Sequence, residues 1–254
     1  MDMSPPPVGV AWITGASSGI GRALALRLAQ QGQRVVVSAR RSETLAALAL
    51  AHPGRIVAWP LDVSDAGAVA TAVPAIEAAH GPIALAVLNA GTHEPTPARD
   101  FRAATVRRLV EVNLMGVVHC LDAALAAMRP RRSGQIAVVA SVAGYRGLPT
   151  AAGYGATKAA LINLCEALKP ECDGLGIKLQ LVNPGFVETP LTGRNPFPMP
   201  FLIPVERAID RLVAGLAGEA FEITFPRRFA LILKLTQILP YRLYFWLIKR
   251  KTGP

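Results

Sequence analysis

Cysteine is scarce in this chain: 254 residues contain three, Cys120, Cys165 and Cys172. An odd number at these spacings makes neither a disulfide framework nor a metal-ligand pattern, so no bound metal is expected. Free thiols suit a reducing compartment and predict a cytoplasmic location. The segment Met1–Pro7 has neither the basic nor the apolar stretch of a secretion signal. Its proline triplet, Pro5-Pro6-Pro7, reads as a stiff exposed leader. Acidic residues are also missing from the C-terminal end. From Ile223 to Pro254 there is none, against seven basic residues. That stretch holds seven of the ten net positive charges and leaves +3 for everything before it. The basic character therefore belongs to the tail and says little about the body.

What the chain has in quantity is apolar surface to bury, 52% of its residues being hydrophobic. A core of that size needs no covalent staples. Short β-branched runs alternate with Ala/Leu-rich amphipathic stretches. Strands are predicted at Val8–Thr14, Val35–Ser38, Ile56–Trp59, Ile83–Leu88, Gln135–Ala140, Lys178–Val182 and Glu222–Phe225. Helices are predicted at Gly19–Gln31, Ser42–Ala51, Asp65–Ala79, Ala98–Met128, Gly153–Cys172 and Val205–Leu216, with a Pro-rich loop over Pro190–Pro204. Strand–helix alternation implies right-handed crossovers and a parallel sheet. Strands apolar throughout imply helices on both faces. The expected fold is a Rossmann-type doubly wound α/β sheet of about seven strands over residues 1–226, with a helical extension at 227–254.

The first strand runs into Thr14-Gly15-Ala16-Ser17-Ser18-Gly19-Ile20-Gly21. Glycines let a backbone approach a pyrophosphate, and the helix that follows offers free N–H groups and the positive end of its dipole. The spacing G-x-x-x-G-x-G departs from the G-x-G-x-x-G fingerprint, so a plain structural turn competes with this reading. About 19 residues further on, where a carboxylate usually meets the ribose 2′-hydroxyl, stand Arg40 and Arg41. Two guanidiniums suit a 2′-phosphate and favour NADP(H) over NAD(H). The bland alternative is a solvated Arg pair opening the next helix.

Tyr154-Gly155-Ala156-Thr157-Lys158 puts a phenol and an ammonium on one helix face. A free Tyr titrates near ~10, too high for a base at neutrality, and a neighbouring cation favours the phenolate. Tyr154 then becomes a general acid/base. The pattern is common by chance on surface helices. Its setting raises its value, because Ser141 ends a predicted strand and Asn113 lies in the preceding long helix. His93 sits on a loop near the expected cofactor. With Tyr154 in the acid/base role, His93 is not expected to take a direct part in the chemistry.

Taken in order, Thr14–Gly21, Asp62-Val63, Asn89-Ala90-Gly91, Asn113, Ser141, Tyr154 with Lys158, and Pro184-Gly185 followed by Thr189 resemble the short-chain dehydrogenase/reductase family, in its single-domain form. The resemblance implies an NAD(P)-dependent oxidoreductase acting on a carbonyl or secondary alcohol. It implies that Tyr154 exchanges the substrate proton and that Lys158 lowers the Tyr154 pKa and bonds the nicotinamide ribose. Ser141 would hold the reacting oxygen. Asn113, in a distorted helix turn, would hold a water that relays protons. It further implies that Gly15, Ser17, Ser18, Gly19, Ile20 and Gly21 cradle the dinucleotide, and that Asp62 and Val63 meet the adenine. Asn89, Ala90 and Gly91 would line the groove, and Pro184, Gly185, Val187 and Thr189 would hold the nicotinamide end. The intact set of Asn113, Ser141, Tyr154 and Lys158 argues against a catalytically silent NADP-binding protein. Relatives of this form pair through their two long helices, so a homo-oligomer is expected.

The tail does not belong to that pattern. Phe229, Leu231, Ile232, Leu233 and Leu235 lie before Pro240, and Leu243 through Ile248 after it. Pro240 is expected to separate two helices. Lys234 and Arg242 interrupt the tail's apolar run, so it does not reach the length of a membrane span. Two readings stand. The helices lie on the inner, anionic face of a membrane, or they pack on the body or a second subunit and roof the site. The tail's bulk is aliphatic, so no nucleic acid is expected as partner. The apolar loop Pro190–Pro204, with Phe197, Met199 and Phe201, suits a small hydrophobic substrate.

Overall fold

The computed structural model describes residues 9–194 and 199–252; Val8, the proline triplet and Phe197 lie outside them. Seven strands form one sheet: β1 (Val10–Thr14), β2 (Val35–Ser38), β3 (Ile56–Ala58), β4 (Ile83–Leu88), β5 (Gly134–Val139), β6 (Ile177–Pro184) and β7 (Glu222–Phe225). Their order is β3-β2-β1-β4-β5-β6-β7 and every pairing is parallel. The chain winds outward from β1 to β3, then crosses back to β4. The seam between β1 and β4 is the switch point, where open sheets of this kind leave a crevice at their carboxyl edge.

Helices α1 (Gly19–Gln30), α2 (Ser42–Ala51) and α7 (Val205–Ala217) cover one face. Helices α3 (Ala66–His80), α4 (Ala103–Val110), α5 (Gly116–Met128) and α6 (Ala152–Gly174) cover the other. Each face has its own core, built on Ile13, Leu24, Leu45 and Leu212 on one side and Trp12, Leu88, Leu121 and Leu161 on the other. Trp12 is fully buried, and its indole N–H donates to Ser38 Oγ at 3.0 Å. Covering on both faces explains strands with no polar alternation.

The predicted helix Ala98–Met128 is not one helix. A single 3₁₀ turn, Ala98–Asp100, precedes α4, and a π turn, Glu111–Met115, joins α4 to α5. The continuous run 103–128 is long and apolar enough to cross a membrane by length and composition. Here its apolar side packs on the sheet through Val117, Cys120, Leu121, Ala124 and Met128. The three cysteines are free and buried, and burial pushes the Cys120 and Cys165 thiols up to about 12. Among the described residues no cluster of His, Cys, Asp or Glu could hold a metal.

After β7 the chain forms α8 (Arg227–Gln237) and α9 (Tyr241–Thr252), separated at Pro240 as predicted.

Candidate active site

The cleft is built where β1, β4, β5 and β6 end. β1 delivers its glycine turn at the switch point. Gly15 has φ +67, and a Cβ there would stand 2.7 Å from the Ala90 Cα. A Cβ on Gly21 would meet the Gly15 carbonyl at 2.7 Å. The turn and β4 are therefore as close as backbones permit, which only glycine allows. Thr14 Oγ1 accepts from the backbone N–H of Asn89 at 3.0 Å and of Ala90 at 3.1 Å. The Asn89 amide donates back to the carbonyls of Thr14 at 3.0 Å and Gly15 at 3.3 Å. Ser18, ahead of α1, makes no side-chain capping bond, so the first N–H groups of α1 stay available to an anion. Gly19 faces Thr189 across the cleft, leaving van der Waals room for a Cβ and no more.

At the far end of this groove, Arg40 and Arg41 are exposed just beyond β2. Arg41 donates to Ser17 Oγ at 2.9 Å, which ties it to the glycine turn. Arg40 lies close to Asp62. Burial pushes the Asp62 carboxyl up, but two hydrogen bonds from Ser64 and the Arg40 charge outweigh it and hold it below its ordinary value. The Val63 side chain turns into the core against Gly116, so only its backbone faces outward.

The chemical end is denser. Ser141 follows β5. Its hydroxyl donates to the Pro184 carbonyl at 3.3 Å and accepts from the Ala143 N–H at 3.1 Å. Tyr154 and Lys158 lie in the first two turns of α6. The Tyr154 hydroxyl lies beside that of Ser141, close enough for Ser141 to favour the phenolate. Lys158 is almost wholly buried and donates to the Val139 carbonyl at 2.9 Å, with Nζ 5.7 Å from the centre of the Tyr154 ring. Burial lowers the Lys158 pKa to about 8. Burial also raises the Tyr154 phenol above its usual range, and Ser141 only partly opposes this. The sequence led us to expect a lowered phenol. In the geometry found, desolvation outweighs an ammonium that stands beside the ring.

The π turn has a specific task. Asn113 Oδ1 accepts from the Thr92 N–H at 2.7 Å, and Nδ2 donates to the Thr92 carbonyl at 2.9 Å. One buried amide thus satisfies both backbone groups of Thr92 and fixes the loop after β4. That loop carries His93, whose ring packs edge-on against Tyr154 at 4.9 Å. His93 Nδ1 is buried without a hydrogen-bond partner among the described residues, and burial lowers its pKa.

The cleft brings together Ile20, Asn89, Gly91, Ser141, Tyr154 and Lys158 with Pro184, Gly185, Val187 and Thr189. Arg40, Arg41 and Asp62 stand at the ends of β2 and β3, outside it. Thr92, Val139, Ala140, Leu191 and Thr192 also line the cleft and carried no sequence signal of their own. Thr192 bonds the Val187 carbonyl at 2.5 Å from within the Pro-rich loop, a contact no local pattern announces.

The tail packs beside the site. Phe229 of α8 stacks between Phe186 at 5.5 Å and Phe201 at 5.7 Å. Arg146 donates to the carbonyls of Thr236, Gln237 and Leu239, capping α8, and its guanidinium lies 4.3 Å over the Tyr244 ring. Glu222 accepts from Tyr145 at 2.5 Å and Asn183 at 2.7 Å and pairs with Lys234 of α8.

Comparisons with known proteins agree on one family. The family model described as short chain dehydrogenase matches residues 9–196. A Myxococcus xanthus protein described as an oxidoreductase is 37% identical over 237 residues, covering 92% of this chain and 94% of that one. The 3-oxoacyl-acyl-carrier-protein reductase of Thermotoga maritima is 31% identical over 217 residues, 84% of this chain and 86% of that one. Among solved structures, a short-chain dehydrogenase from Sphingobium yanoikuyae in complex with NADPH superposes with a TM-score of 0.79. It is 25% identical, over 92% of this chain and 97% of that one.

Proposed function

The chain belongs to the short-chain dehydrogenase/reductase family of oxidoreductases, and from that premise we propose that it interconverts a carbonyl and a secondary alcohol on an apolar substrate, using NADP(H). The observation that carries this reading is the convergence of Ser141, Tyr154 and Lys158 on one cleft, at the mouth of a glycine turn with uncapped helix N–H groups.

The residues present fit a dinucleotide. Gly15, Ser17, Ser18, Gly19, Ile20 and Gly21 would hold its pyrophosphate, with Asn89, Ala90 and Gly91 as the groove floor. Asp62 and the Val63 backbone would hold the adenine. Arg40 and Arg41 would pair with a 2′-phosphate, and a relative of this chain is solved with NADPH. Pro184, Gly185, Val187 and Thr189 would receive the nicotinamide end. When bound, the dinucleotide supplies or accepts the hydride.

In reduction, Ser141 Oγ holds the carbonyl oxygen and the Tyr154 hydroxyl gives it a proton. A phenol held above its usual range is protonated at neutrality, the form this step needs. The Lys158 ammonium stabilises the phenolate left behind. Asn113 keeps the Thr92–His93 loop in place, and the unpaired His93 nitrogen is free for a polar group on the substrate. Ile20, Val187 and Leu191 give the cleft its apolar side. Self-association through α4–α5 and α6, and placement in the cytoplasm with the tail as the part that meets a membrane, complete the reading.

NADPH consumption against a panel of ketones and aldehydes tests it. Tyr154→Phe is expected to cut kcat by about 10²–10⁴-fold while sparing NADPH affinity. Unchanged turnover in that variant removes the mechanism, and NADPH binding with no turnover on any substrate favours a silent binding role. Replacing Arg40 and Arg41 with Ala is expected to raise KM for NADPH by on the order of tenfold per guanidinium, with NADH unaffected. Equal losses for both cofactors would refute the 2′-phosphate contact.

A further inference from the structure

Helix α8 breaks the usual rule for a surface helix. Its inner face, Phe229, Ala230, Leu233 and Thr236, is buried on the body. The opposite face should be polar. Instead it is bare apolar surface: Leu231, Ile232, Leu235 and Ile238 are 60%, 47%, 53% and 79% exposed. These positions repeat with helical spacing, so they form one stripe. Helix α9 continues the pattern in another chemistry. Phe245 and Trp246 are more than half exposed, with Arg242 and Lys249 between them on the same side of the helix and Arg250 over the Trp246 ring at 5.5 Å. Patches of this size rarely stand free on a soluble monomer.

The charge of the region decides what can cover it. With seven basic residues and no acid after Glu222, a second copy would bring like charges together across the contact. An anionic lipid surface supplies both an apolar layer and the opposite sign. We propose that α8 and α9 dock on an anionic membrane, the α8 stripe and Phe245–Trp246 entering the acyl boundary and Arg228, Arg242, Lys249 and Arg250 meeting the phosphates.

The docking surface reaches the substrate mouth. Phe229, on the inner face of α8, stacks on Phe201, and Phe201 and Leu202 are themselves exposed. Phe201 belongs to the loop that bridges to Val187 in the cleft through Ile203. A lipophilic substrate leaving the bilayer would meet aromatic and aliphatic side chains before water. This last step rests on the redox reading above; membrane docking does not.

Co-sedimentation of the full chain with vesicles tests the docking without any assay of turnover. Vesicles of phosphatidylcholine with phosphatidylglycerol are expected to bind it, phosphatidylcholine alone to bind it poorly, and added salt to release it. Arg242→Glu, Lys249→Glu and Arg250→Glu together remove three attractions worth about fivefold each, so binding should fall by on the order of a hundredfold or more. Leu235→Ser with Ile238→Ser should also abolish it. Both sites are exposed, so the melting temperature reports that the fold is intact. Equal binding to neutral vesicles, no binding to anionic ones, or binding unmoved by either variant overturns the proposal. So does a dimer in sedimentation velocity that Leu235→Ser and Ile238→Ser dissolve, since a second copy would then own the face.

Discussion

Residues 139–158 and residues 227–250 depart from the burial rule in opposite directions. The first stretch buries a lysine and a serine, and half-buries a phenol, that would be better solvated in water. The second leaves leucines, isoleucines and a tryptophan in water that would be better buried. Around the cleft, the Lys158 and Ser141 groups find backbone carbonyls. On the tail, the inner face is fastened to the body while the outer face has none of the described residues packed against it. Folding alone demands neither departure. The first makes sense beside a reacting oxygen, the second beside a partner of low polarity.

Two variants sharpen that contrast. The larger effect is expected at Lys158. Its pKa falls from 10.5 to about 8 on burial, so the unfolded chain binds more protons between those values and stability rises with pH across that window. Below pH 8 the buried charge costs about 3 kcal/mol. Lys158→Met removes that cost and the ~1 kcal/mol bond to Val139. The variant should therefore be more stable by about 2 kcal/mol at pH 7, lose this advantage as pH approaches 10.5, and fail to turn over. Denaturant titrations at several pH values would show it; a gap that does not change with pH would mean the cleft pays nothing for its cation. A smaller, local effect is expected at Arg146. Arg146→Ala removes a charged donor from three carbonyls at the end of α8 and should cost about 1 kcal/mol in that region only. Amide exchange should accelerate in α8 and α9 and stay slow in β1, β4 and β5. Uniform acceleration would mean that the tail is part of the core after all.

The fold was legible because each strand is a short apolar run and each helix a periodic one. β7 even falls on its predicted residues, Glu222–Phe225. The break in the long helix was not legible as a pattern, since Glu111–Met115 is apolar enough to continue it. The family resemblance implied a distorted turn at Asn113, and the tertiary contacts of that side chain with Thr92 and Thr157, 21 and 44 residues away, give its physical reason. Tyr154, Lys158 and Ser141 were visible because they fall in the order and setting of the family pattern, the Tyr–Lys spacing alone being common. Thr92 and Thr192 were not, because a threonine in a loop carries no message until its partners are known. The direction of the Tyr154 shift was misjudged for a related reason: spacing shows that a cation is near, but not how much water has left. For the tail, the sequence left packing and lipid as alternatives. The structure shows that α8 packs on the body with one face and still has another to spare.

Ser141 and Arg146 sit on the same short stretch of chain, five positions apart. One holds a hydroxyl in the cleft and the other grips the end of α8. The two ends of that stretch cannot be redesigned independently. Transplanting α8 and α9 onto another protein of this architecture would leave them unmoored unless the 141–148 segment travelled with them, and that segment brings a catalytic neighbour along. Divergence in how such a protein holds α8 and α9 is thereby coupled to divergence in its cleft.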